Sequence, residues 1–212
     1  MAIGLLSFVH GWADALCLKQ FNCFASMMTG NVITFFSAIG AINFSAGCVN
    51  GGMATLYVVG AVAYCALDGS TDFARRWAII PALGAVPFVA HDAAFMLIDV
   101  SDGPFPIPLP VLLLPLGFGF FNAASARATG GVTTYMMTAH LHKIASGIGS
   151  CQPACQARTS ALVVGSFAAG ALVRSSVPVA LEAMGVDLAS TCEFSMIGLA
   201  VAALLLSQRA SL

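Results

Sequence analysis

Apolar residues run in long unbroken blocks along this chain, parted by short clusters of charge, proline, glycine or asparagine. From Gln20 to Leu67 there is no Asp, Glu, Lys or Arg. One helix needs about 20 residues to cross hydrocarbon, so this stretch predicts two crossings, separated at its polar, glycine-rich middle from Asn43 to Gly52. The same reading predicts eight segments: Ala2–Leu18, Phe24–Ile42, Met53–Leu67, Trp77–Ile98, Ile107–Ala126, Val132–Ile148, Ala161–Val173 and Phe194–Leu206. Several are shorter than a full crossing, which leaves six to eight crossings. Period-two alternation is absent, so helices are expected rather than barrel strands. The expected fold class is all-α, a polytopic transmembrane helix bundle forming a single transmembrane domain over 1–212.

The run Pro104-Phe-Pro-Ile-Pro-Leu-Pro110 cannot be regular helix, and with Asp99 and Asp102 it predicts an acidic connector between halves of about 1–103 and 104–212. The halves carry ordered matches. Gly11-Trp-Ala-Asp14-Ala answers to Gly119-Phe-Phe-Asn122-Ala, and Ser26-Met-Met-Thr29-Gly30-Asn31 to Tyr135-Met-Met-Thr138-Ala139-His140. Val58-Val-Gly60 likewise answers to Val163-Val-Gly165. Two internal repeats are therefore expected. Four crossings per half make such repeats parallel, and three would invert them. With four, Lys19, Arg75, Arg76, Arg127 and Arg174 share one side, which the positive-inside rule assigns to the cytoplasm, and the N-terminus faces out. Arg158 and Arg209 fall on the wrong side of that arrangement, so six crossings with two re-entrant or interfacial segments is the alternative.

Composition supports the solvent assignment. Of 212 residues, 59% are hydrophobic and 8% charged, too few charged groups to clothe a water-soluble globule. Mean hydropathy is +0.92. A net charge of -1 with no basic run excludes a nucleic-acid partner. Seven cysteines, mostly inside apolar stretches, do not suggest a secreted disulfide framework. The first segment lacks the basic start and small-residue cleavage site of a signal peptide and carries Asp14, so it is expected to belong to the mature bundle.

Gly11-Trp-Ala-Asp14-Ala, then Phe21 through Phe24, then Met28-Thr29-Gly30-Asn31-Val32 resembles the opening signature of the YoaK-like family of bacterial membrane proteins of unknown function. Leu116-Gly-Phe-Gly-Phe-Phe-Asn122-Ala with Val132-Thr-Thr-Tyr-Met-Met-Thr138-Ala139 is similar to its second signature, departing from it at Ala139 and His140. The resemblance implies a multi-spanning protein of the bacterial inner membrane and no known reaction.

Few residues offer chemistry. A carboxylate within a membrane segment is costly unless paired or wetted, so Asp14 is expected to face the bundle interior or to sit at a helix end near Lys19. Asn122 is its neutral counterpart. Thr29, Gly30 and Asn31 suit a broken helix lining a site, or alternatively a helix cap with a glycine packing notch, and Thr138 lies in the matching block. His91 and Asp92 lie deep in the fourth segment. Adjacent helix positions point apart, so the expectation is a proton relay or an anchor to other helices, not a dyad. His140 and His142 lack metal-helix spacing, and Cys151 and Cys155 are too far apart for a redox motif, so neither metal nor cofactor is expected.

These residues favour a small transporter or channel-like protein, not an enzyme, with Asp14, Thr29, Gly30, Asn31, Asn122 and Thr138 binding a small solute or ion at the repeat interface. The alternatives are a membrane-embedded enzyme acting on a lipid or isoprenoid, and a non-catalytic scaffold. The partners expected are the lipid bilayer and the solute, with a homo-oligomer left open.

Overall fold

A computed structural model describes residues 2–70, 73–97, 107–128, 140–141, 143–145, 154–183 and 193–209. Among them there are helices and no strands. The helices are α1 (Ala2–Phe21), α2 (Met28–Gly40), α3 (Phe44–Ser70), α4 (Phe73–Leu97), α5 (Leu113–Ala128), α6 (Ala154–Ala183) and α7 (Glu193–Arg209), with a 3-10 turn at Leu109–Leu112 before α5. Phe44–Asp68, Ile79–Leu97 and Leu109–Arg127 are long and apolar enough to cross a membrane, and Met28–Gly40 and Glu193–Leu206 are shorter apolar helices. Leu172, Val62 and Phe36 are exposed. Exposed apolar side chains of this kind are what a hydrocarbon-facing surface requires. Of the sixth predicted segment only residues 140–141 and 143–145 are described, all of them helical, and most of the acidic connector lies outside the described residues.

One predicted boundary is corrected. Of the stretch Asn43–Gly52, all but Asn43 forms the start of α3 rather than a loop, leaving a turn at 41–43. Gly47 and Gly51 let α3 lie against Ile39 and Phe35 of α2, so glycines that suggest a break from sequence serve packing instead.

Contacts between helices fix their directions. Gly84 meets Phe121 and Gly117 meets Phe88, so α4 and α5 are antiparallel. Tyr57 meets Gly119, Gly52 meets Leu112 and Asp68 pairs with Arg127, so α3 runs with α5. Phe21 packs on Phe95, whereas His10 lies by Phe118, itself against Phe88, so α1 runs with α4. α6 follows α1, because Gly4 meets Leu162 and Gly170 meets Phe8 and Trp12. α7 opposes α4: Ser195 meets Asp92 and Gly198 meets Phe88. Thus α1, α4 and α6 point one way, and α3, α5 and α7 the other. Lys19, at the end of α1, and Arg127, at the end of α5, therefore lie at opposite ends of the bundle, not on the same side as the sequence register suggested.

α2 is antiparallel to α3 and therefore runs in the same direction as α1, with Gly47 opposite Ile39 and Gly51 opposite Phe35. Two consecutive helices can share a direction only if the chain between them travels back. Residues 22–27 do so: Ser26 returns to the level of Asp14, about 10 Å inside the end of α1 at 1.5 Å per residue. α2 thus begins within the bundle and ends at its edge, and is not a crossing of its own.

Two helix crossings share one design. A Cβ on Gly11 would overlap the Phe167 carbonyl oxygen, and one on Gly170 the Phe8 carbonyl oxygen, where α1 crosses α6. Where α5 crosses α3, Gly119 stands against the Tyr57 carbonyl and Gly60 against that of Leu116 in the same way. Gly165, the sequence match of Gly60, has no atom within 4 Å of a built Cβ. Backbones this close exclude any side chain at the four contacting positions.

Candidate functional site

The break between α1 and α2 gathers most of the polar residues singled out from sequence. Asp14 is buried on α1, where Ser26 donates its backbone N–H to Oδ1 and its hydroxyl to Oδ2, each at 2.7 Å. The carboxylate is thus held by one amide and one hydroxyl just ahead of α2, at the end of the helix where a dipole favours an anion. Ser26 precedes Met27, the N-cap residue of α2, which makes no side-chain cap bond, so Asp14 fixes the entry into α2 rather than capping its first turn.

Thr29, Gly30 and Asn31 divide their roles. Asn31 is buried and holds both backbone groups of Phe24, accepting from its N–H at 3.2 Å and donating to its carbonyl at 2.6 Å. At Gly30 a Cβ would come within 2.6 Å of the Phe24 ring, so the glycine makes room for that ring. Thr29 is exposed. The motif thus clamps the return, and neither Asn31 nor Thr29 acts as the N-cap of α2.

Asn122 lies elsewhere, donating from Nδ2 to the Tyr57 hydroxyl at 2.6 Å between α5 and α3. Its Oδ1 is buried with no hydrogen-bond partner among the described residues. Thr138 lies outside the described residues.

His91 and Asp92 do form a pair, contrary to the expectation from helix geometry. The His91 Nδ1–H donates to Asp92 Oδ1 at 2.8 Å, because imidazole and carboxylate are long enough to bridge the angle between neighbouring Cβ positions. Asp92 Oδ2 accepts the Ser195 N–H at 2.7 Å, capping the first turn of α7 from across the interface. His91 Nε2 lacks a partner among the described residues, and its ring lies 4.7 Å from Phe95, 4.6 Å from Phe194 and 6.1 Å from Phe21. Phe21 is about 10 Å along α1 from Asp14, so the two polar clusters occupy different levels of the bundle.

Sequence reading missed His10, Ser26 and the Arg174–Glu193 pair. His10 is buried one turn before Asp14 on the same face of α1, and its Nδ1–H donates to the Leu6 carbonyl at 2.7 Å. That i, i+4 spacing was visible in the sequence. Arg174 lies 3.0 Å from Glu193, pinning α6 to the start of α7. Two apolar hollows flank α7. One of about 640 Å³ lies between Pro81, Ala85 and Val89 of α4 and Leu199, Ala202 and Leu206 of α7. Another, of about 230 Å³, lies between Phe8 and Trp12 of α1 and Met196 and Ile197. Neither is lined by Asp14, Asn31, Asn122, His91 or Asp92. Among the described residues no group of three or more His, Cys, Asp or Glu side chains could hold a metal ion.

This arrangement of apolar helices and signature residues coincides with a known family pattern, which matches residues 2–192. The chain belongs to the DUF1275 family, described as a protein of unknown function. The DUF1275 match takes in Asp14, the return, both glycine crossings and His91–Asp92, and stops just short of α7. No curated protein and no solved structure matches the chain.

Proposed function

We propose that this DUF1275 protein is a small transporter or channel-like protein of the bacterial inner membrane, built from two inverted repeats, and not an enzyme. The observation that carries this reading is the return at 22–27, which starts the half-length α2 inside the bundle. Non-helical backbone at that depth is tolerated where it is buried in protein or lines a solute path, and broken helices are where many transporters bind their cargo. Inversion is supported by the two glycine crossings: α1 corresponds to α5 and α3 to α6, and each pair runs in opposite directions. Three long helices and one return in the first half, and three long helices among the described residues of the second, agree with the six-crossing alternative.

In this reading Asp14 is the movable part. Proton uptake would remove the charge that holds Ser26, loosening the return so that a small solute or ion passes along α2 by Asn31, with Asn122 proposed as a second polar contact on α5. Thr29 and Gly30 belong to the same proposed region, Thr138 is proposed as a further cargo contact on its sequence match alone, and His91–Asp92 would be the relay nearer the bundle edge. Reconstitution into proteoliposomes, with flux measured across a panel of ions and small solutes and over a range of pH, tests this. Flux whose pH dependence disappears in Asp14→Asn is the expected result. Flux unchanged in both size and pH dependence by that substitution overturns the role of Asp14.

A scaffold is the second reading. It is favoured by the fact that both Asp14 oxygens are already engaged and that the two hollows described are apolar.

A further inference from the structure

Helix direction sorts most of the charges into a basic end, where the acidic residues are Asp68 and, in the sequence linking α3 to α4, Asp72, and an acidic end. At the end where α4 and α6 begin and α5 and α7 finish lie Arg75 and Arg76 in the first turn of α4, Arg127 in the last turn of α5, Arg158 near the start of α6, and Arg209 closing α7. The Arg127 side chain is 67% exposed, 3.7 Å from Asp68, and Arg158 is exposed. Lys143 belongs to the chain that links α5 to α6, and both of those helix ends are at this side. At the opposite end the basic residues are Lys19 and Arg174, the latter buried against Glu193. The sequence linking helices there adds Asp99, Asp102 and Asp187, and Glu182 lies in the last turn of α6.

We infer that the arginine-bearing end lies at the cytoplasmic face, against the anionic headgroups of that leaflet, so that the return and α2 enter the bundle from the opposite face. Arginine and lysine in short connectors are retained on the cytoplasmic side, and that leaflet's negative surface potential attracts them. The inference keeps α3, α4 and α5 as the eight-crossing count orients them and reverses α1, α6 and α7, so the N-terminus moves to the cytoplasmic side. It also brings Arg158 and Arg209 onto the favoured side, where the sequence-based arrangement left them misplaced. It holds whether or not the protein transports anything.

Residue-resolved labelling of the full chain in intact cells with a membrane-impermeant maleimide tests it. Cys48, exposed near the start of α3 at the acidic end, is expected to react from outside. The new thiol of an Arg158→Cys chain is expected to react only after the membrane is permeabilised. The reverse pattern overturns the orientation. A C-terminal fusion to the unaltered chain gives an independent readout: green fluorescent protein attached beyond Arg209 is expected to fluoresce. An alkaline phosphatase fusion that is active there, which requires export, overturns the inference.

Discussion

Asp14 and Ser26 stand 12 residues apart, yet the backbone N–H and hydroxyl of the serine meet the two oxygens of one carboxylate at 2.7 Å each. This pair closes the return between α1 and α2. Because the carboxylate is buried, removing it strands two donors, and each stranded donor costs about 1–3 kcal/mol. Asp14→Ala is expected to lower stability by about 2–4 kcal/mol, and Ser26→Ala, which removes the hydroxyl alone, by about half as much. Thermal unfolding in detergent measures both. An Asp14→Ala chain that melts with the parent would sink this account of the return.

The glycine crossings predict a contrast within one residue type. Gly11→Ala, Gly60→Ala, Gly119→Ala and Gly170→Ala each drive a methyl group into a facing carbonyl. Overpacking of this kind costs about 1–3 kcal/mol even where side chains can yield, and backbone yields less. Gly165→Ala meets no atom within 4 Å and is expected to be neutral or stabilising by up to about 1 kcal/mol, alanine being the better helix former. Similar losses at Gly165 and Gly170 would contradict the register of the α1–α6 crossing.

Asp92 serves two partners, His91 Nδ1 and the Ser195 N–H, through different oxygens. Asp92→Ala is expected to cost about 1–3 kcal/mol and to loosen the start of α7 before the rest of the bundle. Hydrogen exchange read by mass spectrometry is the check: amides of residues 194–197 should exchange faster, while those of α3 should not. Uniform acceleration along the chain would mean that Asp92 is not a local cap.

Ile42 has a φ of 56°, a left-handed conformation that a β-branched side chain adopts at a cost of about 1–2 kcal/mol. Its side chain is 75% exposed, so little packing is lost on truncation. Ile42→Gly is expected to raise stability by about 1 kcal/mol, seen as a higher melting temperature. Asn22, at a φ of 52°, is already a residue type suited to that conformation, so Asn22→Val is expected to do the opposite.

Much of the site was readable one residue at a time. Asp14 and Asn31 stood out because polar groups in apolar blocks need partners, and both are buried and bonded. Their partners were not readable. Ser26 and the backbone of Phe24 look ordinary in sequence and acquire their roles only because the chain doubles back. The pairing of His91 with Asp92 was missed for a different reason: the Cβ directions diverge, but the polar atoms at the ends of the side chains converge.

By itself the sequence determined the solvent and the helical class, since transfer of a side chain into hydrocarbon depends on that side chain and hardly on its neighbours. It could not determine direction. An apolar helix has the same composition whether it runs up or down, and counting blocks treats α2 as one more crossing. Only the tertiary contacts decide that point: Ser26 on Asp14, Phe35 on Gly51 and Phe21 on Phe95 make α1 and α2 run the same way. From that single reversal follow the break inside the bundle and the gathering of arginines at one end.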